Sequence, residues 1–218
     1  MKINLSPEET LEEINGGLMI IQNKNLYRFS EDSLHLADFV DMKPGSKVLD
    51  LGTGSGIILF LLYARDPYIR GTGVEIQSSL VEIARKSVAF NGLDDSIEII
   101  QEDIRNLPGE LEEEAWDVVT ANPPYVPLDR GRKSPREEIA IARQEVSCCL
   151  EDVVRAASRM LKSGGSFALV YPVTRKVEAH HILKCYNLEP IRMEFVTSRE
   201  DAHPYLLLLQ AYKDAPRS

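Results

Sequence analysis

The sequence predicts an α/β protein: a seven-stranded, mostly parallel sheet with an antiparallel edge hairpin and helices on both faces. Three observations predict it. From Ser46 onward, β-rich apolar runs alternate with amphipathic stretches, as in "KVLDLG", "GIILFLLYAR", "GTGVEI", "SSLVEIARKSVAFNG", "IEIIQED" and "WDVVTANP", which is the pattern of βαβ units and a parallel sheet. A glycine-rich turn, "GTGSG", separates the first of these strands from its helix. The last two apolar runs, "IRMEFVT" and "PYLLLLQAY", lie close enough in the chain to pair antiparallel at the sheet edge. At 218 residues and 44% hydrophobic, the chain suffices for one sizeable core. One domain is expected over residues 1–218, with 1–45 as a cover segment and 46–218 as the sheet core.

Each element has its own signal. In the cover segment, "LMIIQ" and "LYRF" flank the turn-prone "NKN", which predicts a hairpin. "SEDSLHLADFV" comes next as a short helix with Ser30 at its N-cap, and the whole segment is expected to lie over one edge or mouth of the sheet. Trp116 is expected to anchor the start of the fourth core strand. Two prolines end that strand at "NPPYVP", Asn122 to Pro127. Beyond the break, "EEIAIARQE" and "LEDVVRAASRMLK" have helical period, and "SGG" at Ser163 to Gly165 is read as the helix stop before "SFALVYP". "RKVEAHHILKCYN" supplies a further helix. The acidic "GELEEE", Gly109 to Glu114, reads as a solvated loop.

Composition narrows the function. A net charge of −9 argues against holding nucleic acid through bulk charge, although a local basic patch remains compatible. Cys148 and Cys149 are adjacent in a helix-like segment and Cys185 is distant, so no C-x-x-C spacing exists for metal or redox chemistry; reduced thiols in a cytoplasmic protein are expected. No apolar run has the length of a membrane span, and "MKINLSPEETLEEING" lacks the order of a signal peptide. With no Cys/His/Asp cluster at ligand spacing, no metal is expected. His180, His181 and His203 fall away from the strand ends and read as structural or surface residues.

The cofactor signal is "VLDLGTGSG", Val48 to Gly56. It places Gly52, Gly54 and Gly56 where the backbone turns tightly and a ligand approaches without a Cβ in the way. The dinucleotide pattern G-x-G-x-x-G is not met, because Ile57 follows Gly56 directly. The D-x-G-x-G-x-G spacing instead resembles the first motif of the Rossmann-like methyltransferases that use S-adenosylmethionine. Charge supports the choice: a sulfonium and an ammonium favour a carboxylate, which Asp50 supplies, whereas a pyrophosphate favours free helix N-terminal amides. Glu75, followed by Ile76, ends the second strand where an acid accepts ribose hydroxyls. Asp103 comes after the third, placed to accept from an adenine amine, with Ile104 against the ring. Each has a structural alternative: a helix cap for Asp50, a surface charge for Glu75, a turn former for Asp103. The three nevertheless share one rim of the sheet.

The break at Asn122 to Tyr125 faces that same rim. Proline fixes φ and removes an N–H, leaving stiff backbone whose carbonyls meet no competing donors. Asn122 adds an amide oxygen, and Tyr125 a flat face for stacking. Such a set suits a planar NH2 group. If Asn122 Oδ1 and the Pro123 carbonyl accept its two hydrogens, with Pro124 stiffening the turn, the nitrogen lone pair is aimed at a methyl donor. Acceptors already in place stabilise the charge that develops there.

"NPPY" resembles the clamp of the amino-methyltransferases, which act on adenine N6, cytosine N4, guanine N2 or the side-chain amide of glutamine. Two families compete. Release-factor glutamine methyltransferases carry the same clamp with a continuation like "YVP", but they normally have a helical N-terminal domain for which this chain has too few residues before the glycine loop. The other is the tRNA1(Val) adenine-37 N6-methyltransferase family, a class I methyltransferase fold. "YRFSEDSLHLADFV" is similar to its segment before the glycine loop, and "IAIAR", "LEDVVRAASRMLKSGG", "FVTSRE" and "LLLLQAYKD" resemble it further along. This likeness implies that Phe29, Ser30 and Asp32 close over the cofactor, and that tRNA is the partner. Val126 and Gln144 depart from the family's aromatic and histidine. Arg130, Arg132, Lys133, Arg136 and Arg143 form a basic cluster just past the clamp that could recruit phosphates, although a solvated loop is the alternative. An anticodon-loop adenine is already partly unstacked, so presenting it to Tyr125 costs less than extraction from a duplex. A non-enzymatic sensor of S-adenosylmethionine is a third reading, against which the intact clamp speaks.

Overall fold

The protein is described by a computed structural model, which defines residues 5–109, 111–123, 148–197 and 203–214. The core is a seven-stranded sheet built from β3 (Lys47–Leu51), β4 (Arg70–Glu75), β5 (Ile97–Gln101), β6 (Trp116–Ala121), β7 (Leu161–Pro172), β8 (Leu188–Thr197) and β9 (Pro204–Lys213). Its strand order is β5-β4-β3-β6-β7-β9-β8. The first five are parallel, and β9 runs antiparallel between β7 and β8. The edge hairpin is therefore as the sequence predicts.

Strand alternation sends successive side chains to opposite faces, and both faces are covered. Val48, Ile97, Ile99, Val118, Ala168 and Val170 meet α1 (Glu31–Phe39), α2 (Ile57–Arg65) and α3 (Ser78–Asn91). Leu49, Val119, Phe167 and Leu169 meet α4 (Leu150–Met160) and α5 (Lys176–Cys185). Trp116 is buried at the start of β6 and its indole N–H donates to the Glu112 carbonyl at 3.2 Å. The acidic segment before it is partly tied down, since Glu113 pairs with Arg159 and Glu114 with the nearly buried Lys213.

Three local readings of the sequence need correction. The N-terminal hairpin lies one strand earlier than expected: "LMIIQ" pairs not with "LYRF" but with β1 (Glu9–Glu13), in the register Leu11↔Ile21 against β2 (Met19–Asn23). Residues 26–30 are not strand. The helix before "SGG" stops at Met160, and Leu161 already begins β7. The glycines form an irregularity within the strand, where the register passes from Trp116↔Leu161 to Val118↔Ser166; a Cβ on Gly165 would lie 2.9 Å from the carbonyl oxygens of both Lys162 and Trp116. Cys148 and Cys149 precede α4, and Cys149 is its N-cap residue. Ser30 is the N-cap residue of α1 as expected, although its hydroxyl makes no capping bond.

The β1–β2 hairpin is held to α3 by polar contacts. Asn91 accepts from the Met19 N–H at 2.8 Å and donates to the Met19 carbonyl at 2.7 Å. The Ser87 hydroxyl accepts from the Ile21 N–H at 2.9 Å, and Lys86 pairs with Glu9 at 2.8 Å. A backbone N–H and C=O left unpaired in a partly buried contact cost about 1–3 kcal/mol, so Asn91→Ala should lower the stability to chemical denaturation by that amount with an unchanged denaturant slope. A midpoint equal to that of the wild type would show that the hairpin is not anchored there.

Candidate active site

The rim of the sheet is assembled by strand register. In β3 and β4 the last paired residues are Leu51↔Val74, in β3 and β6 Leu51↔Ala121, and in β4 and β5 Glu75↔Gln101. The residues just beyond these pairs are consequently neighbours: the Gly52–Gly56 turn lies between Glu75 on one side and Asn122 on the other, with Asp103 two residues beyond Gln101. The glycine turn and the strand break thus share one rim.

Gly52 and Gly54 have φ of +74° and +58°, the left-handed region, and a Cβ on either would meet no atom within 4 Å. They combine a conformation that other residues resist with free space in front of the backbone, as a ligand cradle requires. Gly56, at +87°, is the N-cap of α2, and a Cβ on it would lie 3.2 Å from the Phe60 ring. Glu75 organises the turn: Oε2 accepts from the Gly54 N–H at 3.0 Å and Oε1 from the Gln77 N–H at 2.9 Å. Burial holds its carboxyl above the usual carboxylate range. The Gln77, Gly54 and Ile76 amides and the Gln77 side chain oppose that rise by favouring the charged carboxylate.

Asp50 is fully buried, and its Oδ1 accepts from the Thr120 hydroxyl at 2.7 Å. Desolvation pushes its carboxyl up to about 6, opposed by the Thr120 and Thr53 hydroxyls. Among the described residues, Asp50 Oδ2 and the buried hydroxyls of Ser30, Thr53 and Ser55 make no hydrogen bond of normal geometry, although Thr53 lies close enough to Asp50 to favour its charged form. Each such atom costs about 1–3 kcal/mol when left unpaired, and native structures hold few of them. Among the described residues, four of the five unpaired buried side-chain atoms fall on Ser30, Asp50, Thr53 and Ser55. Their chemistry, one carboxylate with three hydroxyls beside a glycine cradle and a second carboxylate, fits S-adenosylmethionine: anionic oxygen for its cationic groups, hydroxyls for its carboxylate, Glu75 for ribose hydroxyls.

Asn122 is half-buried and Pro123 buried. The Asn122 amide nitrogen donates to the Ser33 hydroxyl at 3.0 Å, which joins α1 to the end of β6 and places Ser30 on the same side. Phe29 packs against the apolar core beneath α1, and its N–H donates to Gln22 Oε1 at 3.2 Å. Asp32 lies in the first turn of α1, half-buried. Ile76 is 41% exposed on the rim, whereas Ile104 packs against the core. Asp103 shows the turn-forming geometry: Oδ1 accepts from the Arg105 N–H at 2.9 Å, and its carboxylate is gripped by the Arg105 guanidinium, which holds it below the usual carboxylate range. Pro124, Tyr125, Arg130, Arg132, Lys133, Arg136 and Arg143 lie outside the described residues.

Sequence reasoning missed Ser33, Thr53, Ser55 and Thr120. Thr53 and Ser55 sit inside the glycine motif and were findable there. Ser33 and Thr120 contact partners 89 and 70 residues away in the chain, which no local pattern signals. Tyr205, 40% exposed at the start of β9, also reaches this side; its phenol is raised by burial and by Asp32 and Glu31.

Below its folded value near 6, Asp50 holds a proton more strongly in the native chain than in the unfolded one. Its raised pKa therefore makes native stability fall as pH rises from about 4 to beyond 6, by an order of 3 kcal/mol at most. Asp50→Asn removes this dependence. Between pH 4 and pH 7.5, denaturant titrations should show the variant gaining stability relative to the wild type by up to that amount; parallel profiles would contradict the burial of an ionisable Asp50.

Known proteins agree with this geometry. The family described as "Methyltransferase domain" matches residues 42–202. A protein of Porphyromonas gingivalis strain W83 named tRNA1(Val) (adenine(37)-N6)-methyltransferase is 30% identical over 162 residues, covering 73% of this chain and 63% of its own. A protein of the same name from Phocaeicola vulgatus is 29% identical over 178 residues, with 82% and 74% covered. The chain therefore spans slightly under two thirds of the first relative's length. Among solved structures, TrmN from Thermus thermophilus superposes with a TM-score of 0.59 at 23% identity, covering 83% of this chain and 48% of that one. Geranyl diphosphate C-methyltransferase from Streptomyces coelicolor, solved with S-adenosyl-L-homocysteine, gives 0.62 at 14% identity with 84% and 80% covered. The match over residues 42–202, with a rim suited to S-adenosylmethionine, establishes that this chain belongs to the methyltransferase-domain family.

Proposed function

We propose that this chain is an S-adenosylmethionine-dependent N-methyltransferase whose acceptor is the exocyclic N6 amine of an adenine in tRNA. One observation carries the reading: Asn122 comes directly after the pair Leu51↔Ala121, beside Gly52, and among the described residues none donates to its Oδ1. An amide oxygen that these residues leave open, next to the cofactor turn, suits an incoming NH2 group. The name shared by the relatives from P. gingivalis and P. vulgatus supports adenine N6 in tRNA as that group.

The bound cofactor supplies an electrophilic methyl carbon on a cationic sulfur. Glu75 orients the ribose, and Asp50, with Thr53 and Ser55, receives the polar end of the methionyl moiety. Phe29, Ser30 and Asp32 cover that site from α1. Asn122 Oδ1 and the Pro123 carbonyl accept the two amine hydrogens, which turns the nitrogen lone pair toward the methyl carbon. As positive charge develops on nitrogen both acceptors strengthen, so their effect is larger in the transition state than in the ground state. The excess proton leaves to solvent after transfer, and no group with a strongly shifted pKa is needed. Tyr125 stacks on the base, and the cluster from Arg130 to Arg143 contacts phosphates; the chain works without a metal, in the cytoplasm.

The test is label transfer. With methyl-tritiated S-adenosylmethionine, label should enter bulk tRNA, and nuclease digestion should recover it as N6-methyladenosine. Asn122→Ala should lower the rate by at least about a hundredfold, the scale for removing a preorganised transition-state contact, while calorimetric affinity for the cofactor stays within about threefold. Label in a release-factor glutamine would replace tRNA with the protein substrate. Label in neither would favour a cofactor sensor, and full turnover by the alanine variant would remove the clamp.

A further inference from the structure

The hydroxyl of Ser33 meets the Asn122 side chain at the end of β6, and nothing in the sequence motifs accounts for it. Ser33 is 4% exposed in the first turn of α1. Its oxygen accepts the Asn122 amide N–H at 3.0 Å across 89 residues of chain. A primary amide has two faces of opposite character: Oδ1 accepts, whereas Nδ2 donates twice. Only one of its two orientations suits an acceptor amine, because an NH2 group presented to Nδ2 would meet donors with donors. Asn122 is half-buried at a strand end, and a free carboxamide there would populate both orientations.

We propose that Ser33 is a positioning residue that fixes the Asn122 carboxamide with Nδ2 turned inward and Oδ1 facing the acceptor amine. The inference rests on the amine-transfer reading above. The hydroxyl is suited to the role: its oxygen carries two lone pairs, one of which accepts from Nδ2. Burial of Ser33 keeps water from competing for that bond. The bond also ties α1 to the end of β6, since α1 carries Ser33 and is capped by Ser30, whose buried hydroxyl is unpaired among the described residues.

The experiment has two readouts on the full chain. In protein labelled with 15N-asparagine, the Asn122 side-chain amide pair is assigned by its loss in Asn122→Asp. Ser33→Ala should shift one proton of that pair and speed its exchange with solvent, while Ser33→Thr, which keeps a hydroxyl, should leave both near their original positions. For methyl transfer to tRNA, Ser33→Ala should lower kcat by about ten- to a hundredfold with cofactor affinity within about twofold, and Ser33→Thr should restore most of the rate. A space-filling role reverses that order, because alanine fits a small buried site better than threonine does. Unmoved Asn122 amide resonances in Ser33→Ala, or alanine outperforming threonine in turnover, would overturn the proposal. Were the wild type to transfer no methyl to tRNA, the substrate reading would fail, and the amide resonances would still decide the role of Ser33.

Discussion

Parallel pairing of β3 with β4 and with β6 is the constraint on which the site depends. Because Leu51 is level with both Val74 and Ala121, the three strands end at one height, and the segments leaving them become parts of one rim. A shift of one residue in either pairing would move the whole side-chain set of that strand to the opposite face. The apolar alternation that fills the two cores forbids this, with Val48 and Val118 on one face and Leu49 and Val119 on the other. Packing throughout the sheet therefore fixes the placement of a few polar groups at its end.

Those polar groups oppose the fold that holds them. Two buried carboxylates, Asp50 and Glu75, face the same turn, and each is raised by loss of water. Thr120 offsets part of the penalty for Asp50, and the amides of Gly54 and Gln77 do so for Glu75. The oxygens on Ser30, Asp50, Thr53 and Ser55 left unpaired among the described residues are a further cost, and under the proposed reading a cationic, hydroxyl-rich ligand would offset it. Stability in this region is lower than an apolar rim would give, and ligand binding there would raise it.

The sheet and the glycine turn were legible in the sequence because both write local patterns: alternation at strand period, and glycines at fixed offsets. β1 was not. "ETLEE" carries almost no apolar alternation, and its place depends on Glu9 holding Lys86 and Glu12 holding Arg28 and Gln22. "SGG" looked like a helix stop, but the chain turns at Leu161 and uses the glycines where Trp116 and Lys162 crowd the backbone. Ser33 was hidden for another reason: a hydroxyl at a helix start resembles a cap, and its actual partner is remote in the chain.

The central claim is that Asn122 and the transferable methyl group occupy one space, and an intermolecular nuclear Overhauser effect measures this directly. With 13C-methyl S-adenosylmethionine bound to protein labelled with 15N-asparagine, cross-relaxation should connect the methyl protons to the Asn122 side-chain amide protons. A saturated complex with no such cross-peak, and with methyl contacts instead to residues on the opposite end of the strands, would contradict that placement.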